Sequence, residues 1–420
     1  MADAAEGGSQ SKPDMDTGVR AGLLPTICSL EGMMPGRGPS EDARGDGSLA
    51  ARGRLNQLDG LRGAAALLVV VFHFLSAFAP RFAVGEGVTP SLWDGTAFGA
   101  LFNGPFSVSV FFVLSGFVVS NSAAGRRAPV YLIALLRYLR LALPATASVC
   151  FAWILLSAIP DAARELDRLA PSPWLQWVYQ GLIPSAAAAL YDGLVGMFRT
   201  GGSLFNNVLW TMRIELLGSF LLYAVYAWTQ GSVRVVILIA VGIAAVAMHR
   251  FHYDGFILGA LLREAWIRGQ LGAVAPVGAF CLGLLLGSHV TLVAMGPDWL
   301  GRVIPGEDLE PIGAALIVYG CLCSPRLGRA FASPAMRFLG RISFSLYLVH
   351  VPILCTLTAA TVVALWPLGN FSLAGVFAAF LALSLLVATL FTYLVDEPVL
   401  SVLSSLRRVA TPMLRRPRIA

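Results

Sequence analysis

The sequence predicts an all-α fold, a polytopic bundle of about ten transmembrane helices with both termini in the cytoplasm. First, 57% of the 420 residues are hydrophobic, 13% are charged and the mean hydropathy is +0.73. This composition is far more apolar than that of a soluble domain of this size. Second, apolar segments long enough to span a bilayer recur along the chain. Third, arginines and carboxylates fall in alternate loops between these segments.

The positive charge of the chain carries information about membrane topology. The net charge is +6, and Lys12 is the only lysine, so nearly all of the positive charge is arginine. Cytoplasmic loops of membrane proteins are enriched in basic residues, and we therefore predict contacts with membrane lipids and no nucleic-acid partner. The arginines of the C-terminal tail fit either this role or a lipid-binding tail. The six cysteines show no CxxC pair and no zinc-type spacing, so no metal site is predicted.

Three regions are predicted along the chain. Residues 1–53 are rich in Gly, Ala, Asp, Ser and Pro and lack the basic-then-apolar start of a signal peptide. We interpret them as a disordered cytoplasmic extension, unless translation begins at Met15, Met33 or Met34. Residues 54–400 form the predicted transmembrane domain, and residues 401–420 form a basic cytoplasmic tail.

The arginines orient the first three predicted spans. Arg52 and Arg54 precede the first span, so its start is expected in the cytoplasm, and Arg126 and Arg127 follow the second. An amphipathic stretch from Tyr131 leads into the third span. These spans are about Leu61–Ala79, Pro105–Ser122 and Leu141–Ile159.

The longest predicted loop comprises the 50 residues from Pro160 to Leu209, which are expected to lie outside. Long loops without repeats are often functional. Span six is short enough to be a half-helix covered by its neighbours. His249 and His252 lie in the turn before it and are interpreted as interfacial. Spans four to six are about Trp210–Trp228, Val233–Met248 and Gly255–Leu262.

The last four spans surround a second cytoplasmic loop. Carboxylates follow span seven, whereas four arginines between residues 326 and 341 precede span nine. Asp396, Glu397 and Pro398 close span ten. No internal repeat of the kind found in many transporters is visible. These spans are about Leu271–Met295, Ile312–Cys323, Ile342–Trp366 and Phe371–Val395.

His73 lies within the first apolar span, eleven residues after Arg62. At about 100° per residue, the two side chains fall within roughly 20° of one helix face and about 16 Å apart along the axis. With Arg62 at the membrane surface, His73 is expected near the midplane, where ionisable groups are functional candidates. His73 is either a packed, hydrogen-bonded core residue or a general base for an acceptor hydroxyl. Asp59 belongs to that site or, as we favour, caps the helix.

Further charged residues allow both a structural and a functional interpretation. Arg137 and Arg140 share one helix face, either as topology anchors or, with Arg126 and Arg127, as a clamp for the phosphates of a nucleotide-bearing donor. Glu215 lies five residues into span four and needs a partner, because an unpaired carboxylate there is expensive. That partner is expected elsewhere, because Arg213 points to the other side of the helix.

Polar residues also form a stripe on span nine. Ser343, Tyr347 and His350 follow an i, i+4, i+7 pattern and so share one helix face. Such a stripe is either interhelical glue or the lining of a substrate cavity. We favour the cavity, because both a histidine and a tyrosine are present.

Six motifs, in order, give the chain a resemblance to the acyltransferase-3 family of membrane acyltransferases. The family's arginine–ten residues–histidine signature is matched by Arg62 and His73, and its Arg-x-x-Arg motif by Arg137 and Arg140. The similarity extends over about residues 56–400. The remaining matches are Phe111–Phe117, Trp210–Glu215 (with Met and Ile where the family usually has Ser and Val), Ser343–Pro352 and Glu397-Pro398.

The resemblance implies a reaction and roles for the matching residues. The donor would be a cytoplasmic acyl-CoA, used as a substrate rather than a tightly bound cofactor, with Arg137 and Arg140 near its phosphates. His73 would act at the reaction centre, with Arg62 orienting the donor or holding the polar start of the helix. Asp59 and Glu215 are assigned to the catalytic site. Trp210, Ser343, Tyr347 and His350 are assigned to the substrate.

The sequence therefore predicts an O-acyltransferase of the bacterial inner membrane. Its acyl group is expected to be acetyl and its acceptor a carbohydrate or lipid-linked sugar, with direct transfer favoured over an acyl-histidine intermediate. One alternative is a transporter or flippase that uses the same buried polar groups as a substrate path. The other keeps the enzyme class but changes the substrates to a macrolide, lipid or glucan acceptor and a succinyl donor.

Overall fold

The computed structural model of the chain describes residues 45–84, 91–93, 96, 98–125, 128–178, 183–272, 274–288, 306–369 and 372–413. Within these ranges the chain forms helices and no strand, apart from an isolated bridge between Val84 and Asn103. The predicted all-α fold class is confirmed. Arg126 and Arg127 lie outside the described residues, as does most of the predicted extension.

Seventeen α-helices are numbered here in chain order over the described ranges. The first eight are α1 (Gly45–Phe78), α2 (Gly104–Ala124), α3 (Val130–Ala158), α4 (Ala162–Leu169), α5 (Pro173–Trp177), α6 (Ala186–Tyr191), α7 (Met197–Thr200) and α8 (Trp210–Trp228). The others are α9 (Gly231–Ala247), α10 (Phe251–Ile267), α11 (Pro276–Gly287), α12 (Gly306–Cys323), α13 (Pro325–Phe331), α14 (Pro334–Ile353), α15 (Ala359–Leu365), α16 (Leu373–Phe391) and α17 (Glu397–Met413). Three π-helical turns, Asp192–Gly196, Leu354–Thr358 and Thr392–Asp396, join α6 to α7, α14 to α15 and α16 to α17.

Six helical segments among the described residues are long and apolar enough to cross a membrane. A seventh is added if α12 and α13, which bend by 98° at their junction, count as one span. A helix coincides with each of the ten predicted spans, but α9 and α11 are shorter apolar helices. The predicted number of ten is therefore not confirmed, and the location of the termini stays a prediction. The six segments are Asn56–Phe78, Gly104–Ala124, Val130–Ala158, Asn207–Trp228, Pro334–Leu368 and Leu373–Thr411.

The first helix begins earlier in the chain than the predicted span, which was expected to start at about Leu61. Helix α1 begins at Gly45, fourteen residues before Asp59, and includes part of the predicted extension. The interpretation of Asp59 as a helix cap is therefore wrong, because a cap lies at the helix end. Asp59 instead lies 3.5 Å from the Arg62 guanidinium, one turn along the same helix.

Two later boundaries also differ from prediction. Helix α10 begins at Phe251 and has 17 residues, so span six is longer than the predicted half-helix and His252 is helical rather than in the turn. At the other end, the last span does not close at Asp396. A π-helical turn carries the chain into α17, so the predicted tail is helical up to Met413.

Helices α1 and α14 pack backbone against backbone through glycines. A Cβ atom added at Gly63 would lie 2.4 Å from the Gly340 nitrogen, and small residues allow this approach between membrane helices. His73 and His350 each lie ten residues beyond these glycines. The helices therefore run parallel in equal register, as predicted for spans one and nine, and the register brings the two imidazoles together.

Candidate active site

The centre of the candidate site is a pair of histidines. His73 Nδ1 and His350 Nε2 are 3.0 Å apart, and His350 Nδ1 is 2.9 Å from the Leu346 carbonyl oxygen. A carbonyl accepts only, so His350 carries its proton on Nδ1 and, when neutral, offers a lone pair at Nε2. His73 must then donate from Nδ1. Neutral His73 is left with an unprotonated Nε2, as a general base requires.

His73 lines a cavity of about 670 Å³, which we call the histidine cavity. Its walls include the rings of Phe72, Trp174, Trp177 and Trp210, together with small and apolar residues. Trp174 lies closest, with its ring centroid 5.4 Å from that of His73. Among the described lining residues there is no Asp, Glu, Lys or Arg. The cavity is therefore suited to an uncharged ligand with apolar faces.

More than half of the described residues that line the histidine cavity belong to the segment 160–208, between α3 and α8. Two hydrogen bonds fix this wall. Asn206 Nδ2 donates to the Leu348 carbonyl on α14 at 2.7 Å, and Ser203 Oγ donates to Asp192 Oδ2 at 2.5 Å. Burial raises the pKa of Asp192, while hydrogen bonds from Ser203 and the Leu204 backbone oppose that shift. These bonds thus hold residues 192–206 of the described loop against α14, which carries His350.

A second cavity of about 150 Å³, the arginine cavity, lies toward the first residues of the span Asn56–Phe78 and of α3. It contains most of the charged residues that the sequence singled out. They are spaced along several helices and converge there because α1, α2, α3, α8 and α14 pack around the same space. The polar residues that line it are Asp59, Arg62, Ser115, Arg137, Arg140, Thr211, Glu215, Ser343 and Tyr347.

Carboxylates already engage the two arginines of the Arg-x-x-Arg motif. Arg137 forms an ion pair with Glu215 and donates to Ser219 Oγ at 2.9 Å. Arg140 contacts both oxygens of Asp396, at 2.5 and 3.3 Å, and Asp396 is only 1% exposed. These pairs supply the partner that Glu215 was predicted to need, and they fasten α3 to α8 and to the turn after α16.

Arg62 is the least engaged arginine of this cavity. Its guanidinium lies 3.5 Å from Asp59, and its buried Nε has no hydrogen-bond partner among the described residues. A buried donor without a partner is unfavourable by about 1–3 kcal/mol. Arg62 is therefore the arginine best placed to accept an anionic ligand.

The two cavities lie toward opposite ends of the bundle. Along α1, Arg62 lines one and His73 the other, about 16 Å apart on the helix axis. Val108 and Tyr347 line both cavities and so form a common wall. Relative to the span Asn56–Phe78, His73 lies nearer the C-terminal end than the midplane expected from the sequence.

The structure therefore divides the residues that the sequence grouped as catalytic. His73 lines the histidine cavity with Trp210, whereas Arg62, Asp59 and Glu215 line the arginine cavity with Ser343. His350 was assigned to the substrate, but it is fully buried behind His73. Trp174 and Asp396 were not assigned to the site. The only sequence signals for them were the length of the 160–209 loop and the charged end of span ten.

The arrangement has the parts of a group-transfer site, with a base facing one cavity and arginines lining the other. No three His, Cys, Asp or Glu side chains in the described part of the chain are grouped as metal ligands. Comparison with protein families finds a match over residues 55–393, to the acyltransferase-3 family model described as "Acyltransferase domain". No curated protein and no solved structure gives a significant match.

Proposed function

The chain belongs to the acyltransferase-3 family and is a membrane acyltransferase; we propose that it transfers an acetyl group from acetyl-CoA to a hydroxyl of a carbohydrate acceptor. The observation that carries this proposal is the histidine pair. It leaves Nε2 of His73 unprotonated at the edge of a cavity large enough for a sugar unit. The inner membrane of a bacterium is the proposed location, with the arginine cavity on the cytoplasmic side.

In the proposed reaction His73 acts as a general base. Its Nε2 takes the proton of the acceptor hydroxyl while the hydroxyl oxygen attacks the thioester carbonyl. The C–O bond forms, the C–S bond breaks, and the proton passes from His73 to the departing CoA thiolate. During the attack, His350 Nε2 accepts the hydrogen bond from the imidazolium Nδ1–H and so stabilises its charge. We favour this direct transfer over an acyl-histidine intermediate because one base suffices.

The donor is proposed to bind at the arginine cavity. CoA carries phosphates, and guanidinium groups bind phosphate oxygens through paired hydrogen bonds. Arg62 has an unused buried donor, whereas Arg137 and Arg140 are held by carboxylates. We therefore assign Arg62 the direct phosphate contact. Arg137 and Arg140 shape the cavity and reach the phosphates only by sharing their guanidinium groups with Glu215 and Asp396.

The lining of the histidine cavity supports a carbohydrate acceptor that carries no charge. Three tryptophans line it, and the apolar C–H face of a sugar ring packs well on an indole. A carboxylate- or phosphate-bearing sugar unit would leave its charge without a partner among the described lining residues, which is costly. A neutral glycosyl unit, free or lipid-linked, fits this lining best.

The test compares His73→Gln with the wild-type enzyme in isolated membranes. Radiolabelled acetyl-CoA is supplied, and label is counted in the extracted glycan fraction. His73→Gln is expected to lower transfer by at least about 100-fold, because a positioned base contributes that much. Its protein level is checked by immunoblot.

His249→Asn is the matched histidine control. His249 lies between α9 and α10 with φ of 52°, which Asn tolerates, and it lines neither cavity. This variant should transfer at the wild-type rate. Normal transfer by His73→Gln would contradict the proposed role of His73. Wild-type membranes that release labelled acetate but label no acceptor would contradict the acceptor assignment.

A further inference from the structure

The common wall of the two cavities lies on the route between donor and base. The phosphate-binding groups are in the arginine cavity, whereas His73 faces the histidine cavity. For the thioester carbonyl to meet the hydroxyl that His73 activates, the acyl end of the donor must cross this wall. Among the described residues, Val108 on α2 and Tyr347 on α14 line both sides.

The hydroxyl of Tyr347 is tied to both sides of the wall. It donates to the Val208 carbonyl at 2.7 Å and lies 2.9 Å from Thr211 Oγ1. Val208 lines the histidine cavity and Thr211 the arginine cavity. These hydrogen bonds hold the Tyr347 ring in the wall between the two cavities. Displacement of the ring therefore breaks two polar contacts in a buried site.

Other contacts place the same ring next to the reacting groups. Its centroid is 6.1 Å from the His350 ring, which supports His73, and 6.0 Å from the Phe111 ring of the arginine cavity. Tyr347 is buried. The space on its arginine side, about 150 Å³, is far smaller than that on its histidine side. The free space is thus smaller on the side from which the donor is proposed to arrive.

We infer that Tyr347, which lines both cavities together with Val108, is a gate that admits a short acyl group to His73 and excludes longer acyl chains and bulk water. This inference rests on the proposed acyl-CoA reaction and adds to it the residue that selects the acyl group. A two-carbon acyl group passes with a small displacement of the ring. A longer chain requires the ring to leave its two hydrogen-bond partners.

The first experiment changes the size of the two side chains, Tyr347 and Val108, that form the common wall. Transfer from acetyl-, butanoyl- and octanoyl-CoA is measured in membranes that contain wild-type enzyme, Tyr347→Ala, Val108→Ala or Val108→Phe. Both alanine variants should raise the ratio of octanoyl to acetyl transfer at least about tenfold, because each removes wall volume. Val108→Phe should lower transfer from all three donors at least about tenfold while acetyl-CoA binding is retained.

Tyr191→Ala is the matched tyrosine control, because Tyr191 is half-exposed on α6 and lines neither cavity. Its acyl-chain preference should equal that of the wild-type enzyme. Unchanged preference in both Tyr347→Ala and Val108→Ala would overturn the gate. A wild-type enzyme that uses none of the three donors would instead overturn the proposed function, so the two failures are distinguishable.

The second experiment measures leakage without acceptor. An open gate lets water reach the thioester near His73, so that the C–S bond breaks and acetate and CoA thiol are released. Tyr347→Phe keeps the ring but loses both hydrogen bonds. It should raise acceptor-free acetyl-CoA hydrolysis about threefold or more above wild type, while a variant that also carries His73→Gln should not. Hydrolysis at the wild-type rate in well-expressed Tyr347→Phe would contradict the exclusion of water.

Discussion

The arginine cavity and the histidine cavity lie in the same bundle but are built from opposite kinds of residue. In the arginine cavity each of the three lining arginines contacts a carboxylate: Asp59, Glu215 or Asp396. The described lining of the histidine cavity has no acidic side chain, no arginine and no lysine. Buried charges in a membrane are tolerated when they are paired. The difference teaches that paired charges organise the arginine cavity, whereas shape and a histidine pair define the histidine cavity.

The two cavities also differ in the source of their walls. Long helices enclose the arginine cavity, and their ion pairs fasten α3 to α8 and to the turn after α16. The segment between α3 and α8 supplies much of the histidine cavity. Substitutions in the arginine cavity should therefore affect both the use of the proposed donor and the stability of the protein. Substitutions in the histidine cavity should affect only the use of the proposed acceptor.

The largest effect is expected from substitution of His350. If that substitution also changed donor binding, the two cavities would not act independently. His350→Ala removes the imidazole that accepts the hydrogen bond from His73 Nδ1–H. We expect kcat to fall by about 10²–10⁴-fold, with the KM for acetyl-CoA unchanged. Both constants are measured in detergent-solubilised enzyme.

His350→Gln is the matched variant, because its amide oxygen can accept the same hydrogen bond. The kcat of His350→Gln should be at least about tenfold higher than that of His350→Ala, as expected of a positioning residue. Equal loss in both variants would show that His350 acts through packing alone. A higher KM for acetyl-CoA would show that the cavities are not independent.

The second prediction concerns the Arg137–Glu215 ion pair. It tests whether Arg137 anchors α3 to α8 or binds the phosphates of the proposed donor. Arg137→Gln leaves Glu215, a half-buried carboxylate, without its cation. We expect a loss of about 3 kcal/mol in the free energy of unfolding, measured by chemical denaturation in detergent.

The double variant Arg137→Gln with Glu215→Gln removes both charges and should regain most of this stability. If Arg137 is an anchor, the KM for acetyl-CoA also returns toward the wild-type value in the double variant. A KM that stays about tenfold raised in both variants would assign Arg137 a direct phosphate contact.

The smallest effect is expected at the mouth of the histidine cavity. Trp177 is 81% exposed, so Trp177→Ala should not disturb folding. Loss of a stacking ring costs about 1 kcal/mol, which corresponds to a roughly fivefold higher KM for the acceptor. The KM for acetyl-CoA should not change. Trp228→Ala is the control, because Trp228 is 84% exposed and lines neither cavity. An equal rise in the KM for the acceptor in this variant would contradict the assignment of Trp177 to the acceptor.

The apolar composition, the recurring apolar segments and the arginine distribution were sufficient to predict the fold class and a helix at each of the ten predicted spans. They did not predict the short helices α4 to α7 within the 160–209 loop. Trp210–Trp228 was predicted with its observed bounds. Boundaries failed where polar residues continue a helix. Asp59 and Asp396 resemble helix ends in sequence, but a contact with Arg62 and an ion pair with Arg140 hold them within continuous helical segments. The Arg140–Asp396 pair joins residues 256 positions apart in the chain, so local sequence does not reveal it.

The candidate site was predictable in composition but not in arrangement. The spacing of Arg62 and His73 correctly placed them on one helix, about three turns apart. It did not show that a wall containing Tyr347 separates them, because that wall forms only when α2 and α14 meet. Likewise, the stripe on span nine placed His350 and Tyr347 on one face, but their different partners depend on α1 and α8.

The placement of the segment between α3 and α8 has a consequence for engineering. It supplies more than half of the described lining of the histidine cavity, yet the histidine pair and the ion pairs of the arginine cavity all lie on other parts of the chain. Changes within this segment can therefore reshape the histidine cavity while both sets of polar contacts stay in place.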